Sequence, residues 1–218
     1  MNDLFDVELE QMAEQLREDE ARAKIDLQAR ALIRRSSRLQ TRRAKSEEHL
    51  LSILPLPIPM DSSIHVISSG DIDALSYLIH LARQTPIETL LISSWCMAMP
   101  DIDWLRQKVD CGRIGHIDFC LGEIFPSQYP DEYLAVSDLQ HTGLVTLKIA
   151  RNHAKIIAGV SPDENFHFVI ESSANLNTNP RIEQTAIHTS RALYEHYTGF
   201  FSEIRSIDQA SRPRKIKP

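Results

Sequence analysis

The strongest constraint on the fold is a run of alternating prolines at residues 54–60, Leu-Pro-Leu-Pro-Ile-Pro-Met. Proline lacks a backbone N–H, fixes φ and restricts the preceding residue to extended backbone, so no helix can pass through this run. We predict an extended, polyproline-like linker here. The chain would then consist of an arm at residues 1–53, the linker, a domain at residues 61–204 and a tail at residues 205–218.

The arm has the composition of a long helix. Residues 2–52 contain no glycine or proline and are rich in good helix formers, which predicts one helix or two in series. Four apolar residues at helical spacing form a stripe, namely Phe5, Leu9, Met12 and Leu16. Because such a segment is seldom stable alone, we expect it to pack on a second copy of the chain or on a protein partner.

Charge is distributed unevenly along the chain, although the total is only −6. Residues 1–20 carry a net −7, residues 22–45 a net +8 and the tail a net +4, which leaves about −11 for residues 46–204. Attraction for a polyanion such as DNA must therefore come largely from the arm and the tail. The candidate phosphate-binding residues of the arm are Arg34, Arg35, Arg38, Arg42 and Arg43. A solvated helix face and an acidic protein surface are the alternatives to nucleic acid for this basic stretch.

The composition is that of an ordinary globular protein, with 42% hydrophobic and 25% charged residues among 218. No apolar run approaches the ~20 residues that span a bilayer, and the acidic N-terminus does not have the pattern of a secretory signal. We therefore expect a cytoplasmic protein that does not bind membranes. Cys96, Cys111 and Cys120 lack metal-binding spacing, so we expect reduced, packed thiols, no metal site and no cofactor.

The first half of the domain alternates strand-like and helix-like segments. The hydrophobic pattern predicts strands at residues 64–68, 89–93 and 114–121 and helices at residues 72–83, 100–109 and 131–140. The turn Ser69-Gly-Asp71 would cap the first helix, and Gly112 would end the second. This alternation predicts an α/β fold, with a mainly parallel or mixed sheet covered by helices on both faces.

The second half of the domain is less regular. Residues 144–149 and 154–158 predict one strand that is bent or interrupted around residues 151–152. Residues 166–170 are its expected partner. A closing helix is predicted from residue 180 or 181 to residue 204.

Reactive side chains are concentrated around two neighbouring predicted strands. His153 and Lys155 are two apart, so in extended backbone both side chains would lie on one face. Hydroxyl and carboxamide groups follow the next strand, at Ser172, Ser173 and Asn175. A nucleophile that can also leave, a cation and neutral hydrogen-bond donors are the groups that phosphoryl transfer requires.

His153-Ala-Lys155 followed by Ser172-Ser-Ala-Asn175 resembles the HxK…GSxN signature of the phospholipase D superfamily. Members of that superfamily include phosphodiesterases, lipid hydrolases and metal-independent nucleases. The order of the predicted elements extends the resemblance over roughly residues 60–204, and it implies a phospholipase D-like fold.

The resemblance also implies a role for each residue of the site. His153 would attack phosphorus to form a phosphohistidine, while Lys155 and Asn175 would hold the non-bridging oxygens. Ser173 would donate to the phosphate or support the loop. Glu183 would orient the imidazole by accepting its other N–H.

Two positions depart from the family's pattern. Val160 stands where an Asp usually falls seven residues after the His, and Ser172 stands in place of the glycine. The missing carboxylate would be a structural or tuning group rather than the nucleophile. Ser172 and Asn177 are further candidates for contact with the substrate.

Only one copy of the HxK motif is present, whereas two such motifs form one active site in the family. The resemblance therefore implies a homodimer, with the His153 of each subunit on either side of one phosphate. The predicted function is that of a metal-independent DNA endonuclease with a phosphohistidine intermediate. The alternative is a catalytically degenerate module that binds nucleic acid or a protein partner within a larger assembly.

Overall fold

A computed structural model describes residues 43, 45–70, 72–177 and 181–207. The chain divides into two compact units, Met1–Ala44 and Lys45–Pro218, and the described residues lie almost entirely in the second. The predicted helix at residues 2–52 therefore falls mainly outside the described residues, and so does most of the basic tail.

A single seven-stranded sheet forms the centre of the described part of the chain. Its strands are β1 (Ser63–Ser68), β2 (Ile87–Ser94), β3 (Ile114–Gly122), β4 (Val145–Ala150), β5 (Ile156–Val160), β6 (His167–Ser172) and β7 (Glu183–His188). They are arranged in the order β1-β7-β6-β5-β2-β3-β4. Strands β2, β3 and β4 pair in parallel, and every other pair is antiparallel. The sheet is thus mixed, with its parallel pairing confined to one side.

Helices cover both faces of this sheet, which confirms the predicted α/β class. They are α1 (residues 45–53), α2 (Ala74–Gln84), α3 (Met99–Asp110), α4 (Phe125–Gln128), α5 (Pro130–Leu139) and α6 (Arg191–Glu203). The larger core cluster takes buried side chains from α1 to α5, whereas α6 packs through Phe201 on the opposite face. Among the helices in the described ranges, none has the length and apolar character needed to cross a membrane.

Local sequence signals explain how α2 begins and α3 ends. The Asp73 carboxylate accepts hydrogen bonds at 2.8 Å from both the backbone N–H and the hydroxyl of Ser76. The cap is therefore Asp73 and does not lie in the predicted turn at residues 69–71. Gly112 follows α3 with φ of +70°, a conformation that favours glycine, and it ends the helix as predicted.

The stretch at residues 144–158 forms two separate strands, so the prediction of one interrupted strand is wrong. β4 lies at the sheet edge beside β3, and β5 lies on the far side of β2, so the chain crosses the ends of β3 and β2 between them. The side chain of Asn152 is buried in this crossing and donates to the Cys120 carbonyl at 2.8 Å and to Ser93 Oγ at 2.9 Å. Hydrophobic periodicity reports which residues are buried, not which neighbour a strand takes, and therefore could not reveal the crossing.

The predicted closing helix is wrong in its first part. Residues 183–188 form β7, which inserts between β1 and β6, and α6 begins only at Arg191. Thr185 and Ile187 are buried in β7. Pairing on both sides satisfies the backbone of this segment, and this tertiary context overrides its local preference. Ser190 then caps α6 by accepting a hydrogen bond from a backbone N–H of the first turn.

Two of the three cysteines are packed as predicted, and the third is not. Cys96 and Cys120 are buried, whereas Cys111 is exposed where α3 ends; all three are free thiols. Burial raises the pKa of the Cys96 thiol and raises that of Cys120 to about 11. Both buried thiols therefore stay protonated near neutral pH.

The proline-rich segment packs on the domain. Leu50 of α1, together with Leu54 and Ile58, belongs to the main hydrophobic core. The backbone N–H of Ile58 donates to the Gln84 side chain at 2.9 Å, and His80 Nε2 lies 3.1 Å from the Pro55 carbonyl oxygen. Residues 45–60 are therefore folded onto the sheet-bearing unit, while the division of the chain into arm, linker and domain stays a prediction.

Replacing Leu50 by alanine is expected to lower the free energy of unfolding by about 2–5 kcal/mol, because a buried leucine loses its transfer free energy and leaves a cavity. Leu51→Ala is the matched control, since Leu51 is the next residue of the same helix and is 47% exposed. Its loss should cost about 0.5 kcal/mol or less. Urea denaturation measures both changes, and equal midpoints for the two variants would contradict the packing of α1.

Candidate active site

The predicted nucleophile lies in the loop that crosses the ends of β3 and β2. Besides its two donated bonds, Asn152 accepts the backbone N–H of Ala154 at 3.0 Å. Ser93 Oγ donates to the carbonyl of Ala154 at 3.0 Å. The loop is thus fastened to both strand ends on each side of His153. Sequence reasoning missed Asn152, although a polar residue next to the HxK motif was the available signal.

The side chains of His153 and Lys155 are in contact, but they do not lie on one face of a strand as the spacing predicts. Both lie in irregular backbone before β5. Lys155 Nζ donates to the carbonyl of His153 at 2.7 Å and lies 3.0 Å from its Nδ1 and 3.3 Å from its Nε2. The ammonium folds back onto the imidazole, so the two groups form one cluster at the surface.

Lys155 is a partly buried cation. Burial lowers its pKa from the usual lysine value, and the carboxylate of Glu183 acts in the opposite direction. Within the described ranges no carboxylate forms an ion pair with Lys155. A small pocket that Lys155 shares with Ser94 and Ser172 lies beside it. An anion that bound to the Lys155 ammonium would supply a counter-charge.

The second motif lies against the first. The backbone N–H of Ser172 donates to the carbonyl of Lys155 at 3.1 Å, which joins the end of β6 to the HxK segment. Ser173 is held by β7, because its N–H donates to the carbonyl of Gln184 at 2.9 Å and its hydroxyl accepts the N–H of Gln184 at 3.0 Å. The Ser173 hydroxyl also donates to the Glu183 carboxylate. In this single chain Glu183 bonds Ser173 and not His153, so its predicted role with the imidazole stays a prediction.

Asn175 connects the second motif to the end of β2. Its carbonyl oxygen accepts the backbone N–H of Trp95 at 3.2 Å and lies 3.5 Å from Ser94 Oγ. The Trp95 ring in turn lies 5.5 Å from the His153 ring between centroids. Because the oxygen of Asn175 is used in this way, its NH₂ group is the part available to a bound phosphate.

Two further predicted residues are engaged inside the loop. The Ser172 hydroxyl bonds the Thr185 hydroxyl at 2.9 Å and accepts the N–H of Ala174 at 3.1 Å. Asn177 donates its amide to the buried sulfur of Cys96 at 3.4 Å. These contacts support the backbone of the site, and contact of either side chain with a substrate stays a prediction.

The predicted arginines of the arm cannot be placed beside this site. Arg34, Arg35, Arg38 and Arg42 lie outside the described residues, and Arg43 is helical and partly buried. Across the described ranges, no group of three or more His, Cys, Asp or Glu side chains is arranged to hold a metal ion.

Val160, which stands where the family's pattern has an Asp, lies away from the site. Val160 ends β5 and is buried opposite His167, about 16 Å along the strand from Lys155. The following turn is organised by Asp163, which accepts hydrogen bonds from Ser161 Oγ and from the backbone and side chain of Asn165. These hydrogen bonds lower the pKa of Asp163, and the bond from Ser161 has the largest effect. An Asp at position 160 would therefore not reach the phosphate-handling groups.

Comparison with known proteins bears on the fold. No family model matches the sequence, and no curated protein matches it. A solved polyphosphate kinase from Porphyromonas gingivalis aligns with a TM-score of 0.50 at 11% identity, covering 72% of this chain and 27% of that one. The chain thus spans about a quarter of the kinase's length.

Two other solved structures align less well. NucT from Helicobacter pylori gives a TM-score of 0.47 at 15% identity, over 65% of this chain and 95% of that one. TrmBL2, an archaeal chromatin protein, gives 0.49 at 12% identity, over 82% and 64%. Neither value is high enough to support an argument, so the fold assignment rests on the kinase.

The structure confirms the predicted α/β fold, with a mixed sheet and helices on both faces. The alignment with the kinase agrees with the phospholipase D-like fold that the resemblance implies. At 11% identity the likeness does not extend to activity.

Replacing Asn152 by alanine should lower the free energy of unfolding by about 1–3 kcal/mol, because it removes a buried amide that bonds the Cys120 carbonyl, Ser93 Oγ and the N–H of Ala154. Arg151→Ala is the control, since Arg151 is the exposed neighbour and its loss should change stability by about 0.5 kcal/mol or less. Chemical denaturation gives both values. If Asn152→Ala is as stable as the control, the crossing loop does not depend on this amide.

Proposed function

We propose that the protein is a phosphodiesterase, a metal-independent DNA endonuclease that acts through a phosphohistidine at a homodimeric site. The observation that carries this proposal is the cluster at the strand ends. It combines an exposed imidazole at His153, a partly buried ammonium at Lys155 and the NH₂ group of Asn175. Because the polyphosphate kinase shares the fold, the choice of phosphodiester cleavage rests on this site and its motif, not on the fold.

The proposed reaction has two displacements at phosphorus. A ring nitrogen of His153 forms the P–N bond while the bond to the leaving oxygen breaks, and that oxygen takes a proton from the imidazolium of a second subunit's His153. Water then gives a proton to that imidazole and attacks phosphorus, and the P–N bond breaks. Lys155 and Asn175 stabilise the charge that develops on the non-bridging oxygens.

The homodimer is part of the proposal because one chain supplies one imidazole to the site. His153 is exposed, so a second subunit can approach it. A two-fold axis through the phosphate would bring the two histidines to opposite sides, which an in-line displacement requires. In each half-reaction one imidazole must be neutral and the other charged, so that one attacks phosphorus and the other protonates the leaving oxygen.

DNA is the proposed substrate because negative charge lies on the domain and positive charge is concentrated in the arm. Residues 46–204 are acidic and residues 22–45 carry a net +8, so the arm would supply the counter-charge for a polyanion. Arginine suits this task because its guanidinium stays charged and binds phosphate oxygens in pairs.

The second candidate is a degenerate module that binds nucleic acid or a protein partner without turnover. It is favoured by the contacts of the resting site, where the ammonium of Lys155 lies on the imidazole and Glu183 is held by Ser173. In such a module His153 would be dispensable for function. The two candidates therefore differ in the effect of one substitution.

Purified protein is expected to cleave DNA in EDTA, and His153→Ala should lower the rate by about 10³-fold or more, because the nucleophile is lost. His141→Ala is the matched control, as His141 is an exposed histidine outside the site, and it should cleave at the wild-type rate. Cleavage is measured on single-stranded and duplex DNA, with the oligomeric state determined by light scattering. Full activity in His153→Ala, or a requirement for magnesium, would contradict the mechanism.

DNA binding should weaken as pH rises through the pKa of Lys155, because only the protonated ammonium binds phosphate. Burial lowers that pKa, so the loss should begin at a lower pH than for an exposed lysine. A short oligonucleotide titrated against His153→Ala reports the effect, and losing one charged contact should cost about 10–100-fold in affinity. Lys155→Arg, whose guanidinium stays protonated, should keep its affinity to higher pH. If DNA affinity falls over the same pH range with lysine and with arginine at position 155, Lys155 does not bind the phosphate.

A further inference from the structure

Trp95 is an aromatic residue beside the candidate nucleophile to which the proposed chemistry gives no task. It follows directly after β2, and its ring lies 5.5 Å from that of His153 with the planes inclined by 58°. The side chain is partly exposed and packs on the edge of the main core. Phosphoryl transfer itself needs cations and hydrogen-bond donors, not a large apolar ring.

The indole is fixed in place by both of its neighbours in the fold. A Cβ added to Gly122 would lie 2.6 Å from Trp95 Cδ1 and 2.8 Å from the Trp95 carbonyl oxygen. Glycine at the end of β3 therefore lets Trp95 lie against the backbone. The backbone N–H of Trp95 donates to the side-chain oxygen of Asn175 at 3.2 Å. The main chain at Trp95 is thus tied to Asn175, and the ring packs between Gly122 and His153.

What the Trp95 ring can contact depends on the groups next to the reacting phosphate. In a nucleic acid the nearest groups to a phosphate are the sugar and base of the adjoining nucleotides. A base that stacks on an aromatic side chain contributes about 1–3 kcal/mol and does so for any base, because every base has a π-face. Within a duplex the bases are stacked on each other, so a base reaches Trp95 only from an unpaired strand.

We propose that Trp95 is a stacking platform for the nucleobase next to the scissile phosphate, and that it makes the site selective for single-stranded DNA. This inference rests on the proposed function and names the form of its substrate. Trp95 is then a specificity-determining residue, while His153 and Lys155 carry the chemistry. Its contribution falls on substrate binding and on the choice between unpaired and paired DNA.

The test uses the full chain with two substitutions. His153→Ala prevents cleavage. Trp104→Phe leaves Trp95 as the one indole, because the sequence has 2 tryptophans. A short oligothymidylate is compared with an abasic oligomer of equal length and charge. The oligothymidylate should quench the Trp95 fluorescence and bind about 5–100-fold more tightly than the abasic oligomer. A duplex of the same length should not quench.

Matched variants separate stacking from folding. Trp95→Ala should bind both oligomers with the affinity of the abasic one, whereas Trp95→Phe keeps a ring and should keep most of the difference. Because these variants contain no tryptophan in the Trp104→Phe background, their affinities are measured by the anisotropy of end-labelled oligomers. Circular dichroism of each variant shows whether it is folded. Equal affinity for the two oligomers with Trp95 present, or a preserved difference in folded Trp95→Ala, would overturn the proposal. Quenching by phospholipid vesicles instead of oligothymidylate would also overturn it and assign the ring to a lipid.

Failure of this inference can be told apart from failure of the proposed function. Cleavage assays on chains that retain His153 report the chemistry, and the binding titrations report the platform. If His153→Ala abolishes cleavage and Trp95→Ala still prefers single strands, only the role of Trp95 is wrong. If His153→Ala cleaves normally, the proposed function is wrong whatever the titration shows.

Discussion

The buried carboxamide of Asn152 is the contact on which the rest of the site depends. Its donated bonds to Ser93 and Cys120 and the accepted bond from Ala154 hold the chain as it crosses two strand ends. Polar groups that are buried beneath such a crossing are stable only when they are paired. Once this loop is fixed, His153 has a defined position above the parallel side of the sheet.

The site is assembled from three separate stretches of chain that are joined by backbone hydrogen bonds. The carbonyl of Lys155 binds the N–H of Ser172, and Asn175 binds the N–H of Trp95. Groups that are positioned by a rigid sheet in this way need little reorganisation when charge develops on a phosphate. In the proposed mechanism a bound phosphate balances the charge of the partly buried Lys155 ammonium.

The sequence allowed the first three strands, the helices between them and the gathering of the two motifs to be predicted. Each of those elements has a clear hydrophobic pattern and a turn at its end. The split into β4 and β5 and the insertion of β7 could not be predicted, because they depend on which strands become neighbours. Asn152 and Trp95 were missed for a related reason: their roles arise from contacts with β3 and with Gly122, which are distant in sequence. Most of the arm's arginines lie outside the described residues, so their part in binding stays a prediction.

The bond between the Ser172 and Thr185 hydroxyls has a consequence for how this site can vary among relatives. Thr185 is buried, so its hydroxyl needs a hydrogen-bond partner, and the Ser172 hydroxyl is that partner; Ser172 itself also reaches the Gln184 carbonyl at 3.3 Å. Substitution at the two positions should therefore be correlated. Relatives that keep a hydroxyl residue at position 185 should keep serine at position 172, and those with glycine at position 172 should carry an apolar β-branched residue at position 185.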